Sequence, residues 1–293
     1  MEDADKLRKK LSRTLTAAVA EYGLLQEGDK VLVAISGGKD SYTMLDLLWS
    51  NRSRAPYRFD LVAVHLDQVQ PGYDGRPLQQ WLATFGAPYE ILQEDTFSIV
   101  SELTRDGGTP CAPCSRFRRG ILYSAAERLG CNKIALGHHR DDALETFLMN
   151  LFYKGSLESM PPVYTTDDGR FQVIRPLIEC AESDIAAHAK VAGYPILPCN
   201  LCGSIGGLRR DAMGDLLTSL EQQHPHVRNV MLRALKNVRP THLMDPALLS
   251  AWNARPNKNP RTPETDSCHP TQRFSALPLV SGDVPVTSQT QIP

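Results

Sequence analysis

Six consecutive residues near the N-terminus have the composition of a phosphate-binding loop. They are Ser36-Gly37-Gly38-Lys39-Asp40-Ser41, and they follow the short apolar run Val31–Ile35, which is typical of a buried strand. Glycines let the backbone come close to an anion, a helix N-terminus presents free amides, and a lysine adds positive charge. The Walker A spacing is absent. The alternative is a plain glycine turn with Ser36 as the N-cap of the next helix, but the preceding strand favours a phosphate site.

Two Cys-x-x-Cys pairs, Cys111/Cys114 and Cys199/Cys202, indicate metal or redox chemistry. Together they can form a closed tetrahedral zinc site, which would be purely structural. Thiolates also hold iron–sulfur clusters. The pairs lie much further apart than the roughly 15–20 residues of a zinc ribbon, so the fold must bring them together. The residue types alone leave zinc and iron both open.

A basic segment with one aromatic residue follows the first cysteine pair directly. Arg116, Phe117, Arg118 and Arg119 lie at the predicted start of a helix. Guanidinium groups beside an aromatic ring suit phosphate contact and base stacking. A solvated helix face is the alternative, but the neighbouring metal site favours RNA contact.

A second polar loop, Gly137-His138-His139-Arg140-Asp141-Asp142, joins a predicted strand to a helix. Histidine pairs often bind metals, but its position at a strand end favours a nucleotide-site loop. Adjacent carboxylates cannot face the same way on a helix. We therefore expect one of Asp141 and Asp142 to serve Mg²⁺ or the substrate while the other caps the helix. Asp67, after a different strand, is predicted to lie at the same edge.

The elements that position these residues alternate along the chain. Strands are predicted at 31–35, 59–66, 89–92, 133–136 and 173–177, and helices at 5–22, 42–49, 78–85, 99–103, 116–129, 141–152, 181–192, 208–222 and 227–236. This alternation predicts an α/β fold with a doubly wound parallel sheet, an N-terminal helix and a C-terminal helical extension. Ligands of such sheets bind at the carboxyl ends of the strands, where the polar loops fall.

Composition narrows the class of protein. The 293 residues are 42% hydrophobic and carry a net charge of −1, so any RNA must be bound by a local basic patch. The basic face of the predicted N-terminal helix is one candidate for this patch, and a face that contacts only solvent is an equally good interpretation. No apolar run reaches the ~18–20 residues of a membrane span, and the N-terminus lacks a signal core. We therefore expect a cytoplasmic protein with no membrane partner. Three cysteines lie outside the two pairs. We expect Cys131 and Cys180 to be buried apolar residues and Cys268 to lie in the tail.

The motifs in combination resemble a known family. The loop at Ser36 resembles the PP-loop of ATP pyrophosphatases. The ordered segments SGGKDSYTML, CAPCSRFRRGILY, ALGHHRDDALETFLMNLFY, GSLESMPP and LPCNLCGS resemble the tRNA-cytidine(32) 2-sulfurtransferase family over residues 5 to 250. The resemblance implies thiolation of carbon 2 of cytidine 32 in the tRNA anticodon loop, with ATP, Mg²⁺ and a 4Fe-4S cluster. It also implies a homodimer supplied with sulfur by a cysteine desulfurase.

The resemblance further implies roles for individual residues. The cluster ligands would be Cys111, Cys114 and Cys202, with Cys199 as the less favoured candidate for the third. Asp40 would bind Mg²⁺, Arg118 would stabilise charge near the base, and Asp142 would move a proton or position Mg²⁺. The nucleotide would be held by residues of the three strand-end loops: Ser36, Gly37, Gly38, Lys39, Asp40, Ser41, Asp67, Gly137 and His138.

The expected organisation is an N-terminal amphipathic helix (1–28), a PP-loop catalytic domain (29–200), a helical part (201–254) and a disordered tail (255–293), which is rich in proline, threonine and serine.

Two other functions remain open. Another PP-loop tRNA thiolase or an amidating synthetase would use the same ATP site, and the synthetase has no need of two cysteine pairs. A zinc-stapled RNA-binding protein has no need of the phosphate loop.

Overall fold

A computed structural model of the chain describes residues 2–105, 111–197 and 208–255. Its elements, in chain order, are α1 (Glu2–Glu21), β1 (Lys30–Ile35), α2 (Lys39–Arg52), β2 (Asp60–Asp67), α3 (Arg76–Phe85), β3 (Tyr89–Gln93), α4 (Thr96–Leu103), α5 (Cys111–Arg128), β4 (Lys133–Ala135), α6 (Arg140–Met149), a π-helical turn (Asn150–Lys154), β5 (Val163–Thr165), β6 (Gln172–Ile174), α7 (Glu182–Ala192), α8 (Leu208–Gln223), α9 (Val227–Lys236), a 3-10 turn (Pro240–His242) and α10 (Pro246–Asn253).

One six-stranded sheet organises the described residues, in the order β3-β2-β1-β4-β6-β5. All neighbouring strands are parallel except β5, which pairs antiparallel with β6. The predicted doubly wound parallel sheet is confirmed. The antiparallel edge strand was not predicted, because three residues at a sheet edge leave too little alternation to recognise.

The sheet is buried on both faces, which explains why β1 is apolar without alternation. Val31, Val33 and Ile35 pack into the core that contains α1 and α2, whereas Leu32 packs into the opposite core against α5. Helices therefore cover both faces and leave the carboxyl ends of β1, β2 and β4 open for the polar loops.

Several helices begin earlier than predicted, and two of these changes concern the site. Helix α2 begins at Lys39 with Gly38 as its N-cap, so the interpretation of Ser36 as the N-cap is wrong. Helix α5 begins at Cys111, so the first cysteine pair forms its first turn rather than preceding it.

The chain divides into two compact units, residues 1–238 and 239–293. The described part of the second unit contains the 3-10 turn and α10, which was not predicted. Its start carries ordinary helix-start signals, since Asp245 caps the Leu248 amide and Pro246 occupies the first turn. Within the described residues, no helix combines the length and apolarity needed to cross a membrane.

Candidate active site at the carboxyl ends of the strands

The phosphate loop is tight enough to require glycine at its centre. Gly37 has φ = +83°, and a Cβ there would lie 2.9 Å from Cδ1 of Leu197. The Leu197 amide also donates to the Gly37 carbonyl over 3.0 Å. The described chain just before Cys199 therefore crosses directly over the phosphate loop.

Two serines fix the curvature of the loop. The Ser41 hydroxyl donates to the Gly38 carbonyl over 2.9 Å and accepts from the Ser36 amide over 3.2 Å. The Ser36 hydroxyl in turn accepts from the Gly38 amide over 3.3 Å. The loop thus keeps its shape through its own side chains.

Lys39 is held between two carboxylates. Its Nζ lies 2.9 Å from Oε1 of Glu182 and 3.2 Å from Oδ2 of Asp40. Burial alone would lower the pKa of Lys39, but the charges of Asp40 and Glu182 raise it above its usual value. The lysine is therefore a full cation, and phosphate oxygens can replace the carboxylates around it. Glu182, at the start of α7, was not predicted as a site residue.

Asp40 has a buried oxygen with no hydrogen-bond partner in the described part of the chain. This atom, Oδ1, lies 3.7 Å from Nε2 of His139. Burial raises the pKa of Asp40. A partly buried carboxylate with an unmatched oxygen fits a divalent cation, which would satisfy that oxygen.

The N-terminus of α6 brings Asp142 to the same place. His139 and Asp142 form a capping box: the His139 amide donates to Oδ2 of Asp142 over 2.9 Å, and the Asp142 amide donates to Nδ1 of His139 over 3.3 Å. Nε2 of His139 also lies 3.4 Å from Oδ2 of Asp142. Asp142 therefore completes the capping box of α6 and faces Asp40 across the His139 ring.

Asp141 points elsewhere, as expected for a neighbour on a helix. It is buried and accepts from Arg228 over 2.7 Å, from Arg140 over 3.2 Å and from the Glu182 amide over 2.8 Å. Asp141 thus joins α6 to α7 and α9. The prediction that one carboxylate caps the helix while the other serves the site is wrong for the cap, because the N-cap is His139 and Asp142 completes its capping box from the site side.

Gly137 and His138 line the gap between the two loops. A Cβ at Gly137 would lie 3.2 Å from the backbone of both Asp40 and Ser41, so any side chain there would push the two loops apart. His138 accepts from Nε of Arg175 over 3.2 Å, and burial together with the Arg175 charge lowers the pKa of His138 to about 4. His138 is therefore neutral near pH 7.

Glu145 and Arg210 extend the site beyond the predicted residues. Arg210 on α8 lies 3.6 Å from Asp142 and 3.8 Å from Glu145. Burial, followed by the negative charge of Asp142, raises the pKa of Glu145 to about 7. Its spacing from Asp142, three residues along a helix, is the one sequence signal that could have identified it.

The first cysteine pair lies at the neighbouring strand end. Sγ of Cys114 lies 3.4 Å from Oε1 of Gln68, which directly follows Asp67 and β2. Asp67 itself accepts from the Val69 amide over 2.9 Å. Cys111 occupies the first turn of α5.

The second pair, Cys199 and Cys202, lies outside the described residues. Its described flanks both reach the active site, because Leu197 contacts the phosphate loop and Arg210 contacts Asp142. Among the residues described, no three His, Cys, Asp or Glu side chains are grouped as a metal site.

The three predicted RNA-contacting arginines lie on the surface of α5. Arg116, Arg118 and Arg119 are all exposed, whereas Phe117 is half-buried. This geometry leaves the guanidinium groups open to solvent. The role of Arg118 near the base stays a prediction.

Comparisons with known proteins agree with this geometry. Residues 7–196 match the family described as a PP-loop domain. The chain is 51% identical over 244 residues to the tRNA-cytidine(32) 2-sulfurtransferase of Chromohalobacter salexigens, covering 83% of this chain and 86% of that protein. It is 45% identical over 279 residues to the enzyme of the same name from Mannheimia succiniciproducens, covering 95% and 89%.

A solved structure shares the fold. It is the U34-tRNA thiolase NcsA from Methanococcus maripaludis with its [4Fe-4S] cluster, with a TM-score of 0.65, 22% identity and 81% of each chain covered.

Proposed function

The chain belongs to the tRNA-cytidine(32) 2-sulfurtransferase family, and from that premise we propose that it uses ATP to replace the O2 of cytidine 32 in tRNA with sulfur. One observation within the site supports this most directly. The ATP loop at Gly37 is crossed by the chain that leads into Cys199, and the adjacent strand end carries Cys114. An ATP site bordered by cysteines suits a reaction that first activates a base and then delivers sulfur.

The activation step depends on residues of the phosphate loop. The cytosine O2 attacks the α-phosphorus of ATP, and pyrophosphate leaves. Lys39 exchanges its contacts with Asp40 and Glu182 for phosphate oxygens and so offsets the charge of the departing pyrophosphate. A sulfur nucleophile then adds at carbon 2, and AMP departs with the former O2.

Asp40 would hold Mg²⁺ through its unmatched oxygen, and the cation would supply positive charge to the phosphates of ATP. Asp142, oriented by His139, lies on the other side of the same space. We assign Asp142 to positioning the cation or accepting a proton from the base. Arg118, on the exposed face of α5, would approach the base only once RNA is bound.

The donor set of the cysteine pairs fits a cluster. Cys111 and Cys114 are three residues apart in the first turn of α5, and Sγ of Cys114 lies at the strand-end edge. Cys202 completes the proposed ligand set. Held by these three thiolates, a 4Fe-4S cluster would supply the sulfur-delivery chemistry.

Three further points belong to the proposal. Sulfur comes from a cysteine desulfurase, the chain acts as a homodimer, and the reaction takes place in the cytoplasm on the anticodon loop. These follow from the family membership alone and are tested separately by co-purification, solution mass and fractionation.

The deciding experiment measures 2-thiocytidine in tRNA from a deletion strain that carries either the wild-type gene or Asp40→Ala. We expect wild type to restore the nucleoside and Asp40→Ala to abolish it while keeping its iron. Colourless, zinc-loaded protein after anaerobic purification would support a zinc-stapled RNA-binding protein instead. Normal AMP release by Asp40→Ala would contradict the Mg²⁺ assignment.

A further inference from the structure

An exposed aromatic surface adjoins the active site and has no role in the reaction described above. The π-helical turn that extends α6 carries Phe152 and Tyr153, which are 56% and 54% exposed, and Leu157 just beyond is 62% exposed. Such large apolar side chains are costly to leave in water and mark binding surfaces when grouped. We call these three residues the 152–157 platform.

The platform is not needed for the core beneath it. The same helix buries Leu144 and Leu148 against α8 and α9. The turn ends at Gly155, whose φ of +70° terminates it. π-helical turns inside helices are frequently found at functional sites.

The chemistry of the platform is that of a base-stacking surface. The guanidinium carbon of Arg209 lies 5.1 Å from the ring centre of Tyr153, so a cation already rests against one aromatic face. In the described residues Arg209 takes part in no ion pair, whereas Lys154 is paired with Glu158. A free guanidinium beside exposed rings suits a phosphate next to a stacked base.

The position of the platform connects it with the reaction site. Arg209 is adjacent to Arg210, which contacts Asp142 and Glu145. Phe152 lies ten residues beyond Asp142 on a continuous helix, or about 15 Å at 1.5 Å per residue. That distance suits nucleotides that flank a base held in the site.

We propose that Phe152, Tyr153 and Arg209 stack on unpaired bases of the anticodon loop next to the reacting cytidine. This inference rests on the proposed function and extends it to the binding of the RNA. Single-stranded loops are recognised through splayed bases stacked on aromatic rings and guanidinium planes. The platform therefore selects a loop over a duplex.

The test uses the full chain, purified anaerobically, and two RNAs: an anticodon stem-loop with cytidine 32 and a fully paired duplex of the same length. Phe152→Ala and Tyr153→Ala should each weaken binding of the stem-loop by about 5- to 100-fold, with the salt slope and duplex binding unchanged. Arg209→Ala should lower the salt slope by about 0.7–0.9. Tyr153→Phe keeps the ring and should bind like wild type.

Val191→Ala is the matched control, because Val191 is 60% exposed on α7 and lies outside the platform. Stem-loop binding by Phe152→Ala and Tyr153→Ala equal to that of the control would overturn the proposal. So would a halved solution mass in these variants, which would make the platform a contact between copies of the chain. Failure of the wild type to form 2-thiocytidine would instead overturn the proposed function, since binding is measured independently.

Discussion

Nε2 of His139 lies 3.7 Å from Oδ1 of Asp40, a buried oxygen with no hydrogen-bond partner in the described residues. Nδ1 of the same ring accepts the Asp142 amide, so Nε2 is the ring nitrogen that faces Asp40. His139 therefore links the cap of α6 to the phosphate loop of α2.

Substitutions of His139 should separate its role as the cap of α6 from its role in positioning Asp40. Asparagine is a good N-cap but cannot reach Asp40, so His139→Asn should keep most of the free energy of unfolding and lose ATP-dependent thiolation. His139→Ala should lose activity and, in addition, about 1 kcal/mol of stability. Urea unfolding and single-turnover thiolation measure the two effects. Full activity in His139→Asn would show that the contact with Asp40 does not matter.

Asp141 and Asp142 should fail in different ways when each is replaced by alanine. Removal of Asp141 leaves buried Arg140 without its carboxylate and half-buried Arg228 with only that of Glu221, at a cost of about 3 kcal/mol in unfolding free energy. Asp142→Ala should cost about 1 kcal/mol for the lost capping-box hydrogen bond but abolish thiolation. The comparison uses urea unfolding and 2-thiocytidine formation, and equal stability losses would contradict the assignment.

The ionised carboxylate of Asp46 should stabilise the fold, and this stabilisation should be lost in acid. Burial opposes ionisation, but hydrogen bonds from His188, Arg8 and Tyr194 lower the pKa of Asp46 to about 2. A pKa below the unfolded value stabilises the fold above about pH 4, and this contribution is lost as the pH falls towards 2.

Asp46→Asn should therefore be less stable by about 2 kcal/mol between pH 5 and 7. The difference from wild type should shrink as the pH drops below 4. Urea unfolding at a series of pH values measures it. A difference that stays constant down to pH 3 would show that the charge of Asp46 is not responsible.

The cysteines should divide into cluster ligands and packing residues. Cys111→Ala, Cys114→Ala and Cys202→Ala are each expected to lose iron and thiolation. Cys131→Ala is the control, because this thiol is buried in the core beside α5. Iron content and visible absorbance of anaerobic protein report the result, and full iron in Cys202→Ala would transfer the third position to Cys199.

The exposed arginines of α5 should act through phosphate. With a net charge of −1 the whole surface does not attract RNA, so a local patch must. Arg116→Ala and Arg119→Ala should each lower the salt slope of tRNA binding by roughly 0.7–0.9 and leave turnover unchanged. Arg118→Ala should lose turnover more than affinity. If all three variants bound tRNA like the wild type, the RNA contact would have to lie elsewhere on the protein.

Much of the fold could be predicted because its signals are local. The apolar run of β1 and the helical spacing after Lys39 follow from residues within a few positions of each other. Boundaries shifted at α2 and α5 because a glycine can serve as an N-cap and a Cys-x-x-Cys can form a helical turn. The edge strand β5 was missed because its partner β6, not its own pattern, makes it a strand.

The sequence by itself determined the chemistry that is present: a glycine-rich loop with a lysine, two cysteine pairs and a pair of aspartates, each defined by residues that are neighbours in the chain. Only the tertiary structure decided which groups meet. It brought Glu182 to Lys39, Leu197 over Gly37 and His139 to Asp40. Such contacts join residues far apart in the chain, and they depend on the crossing of whole elements around the sheet, for which no local pattern exists.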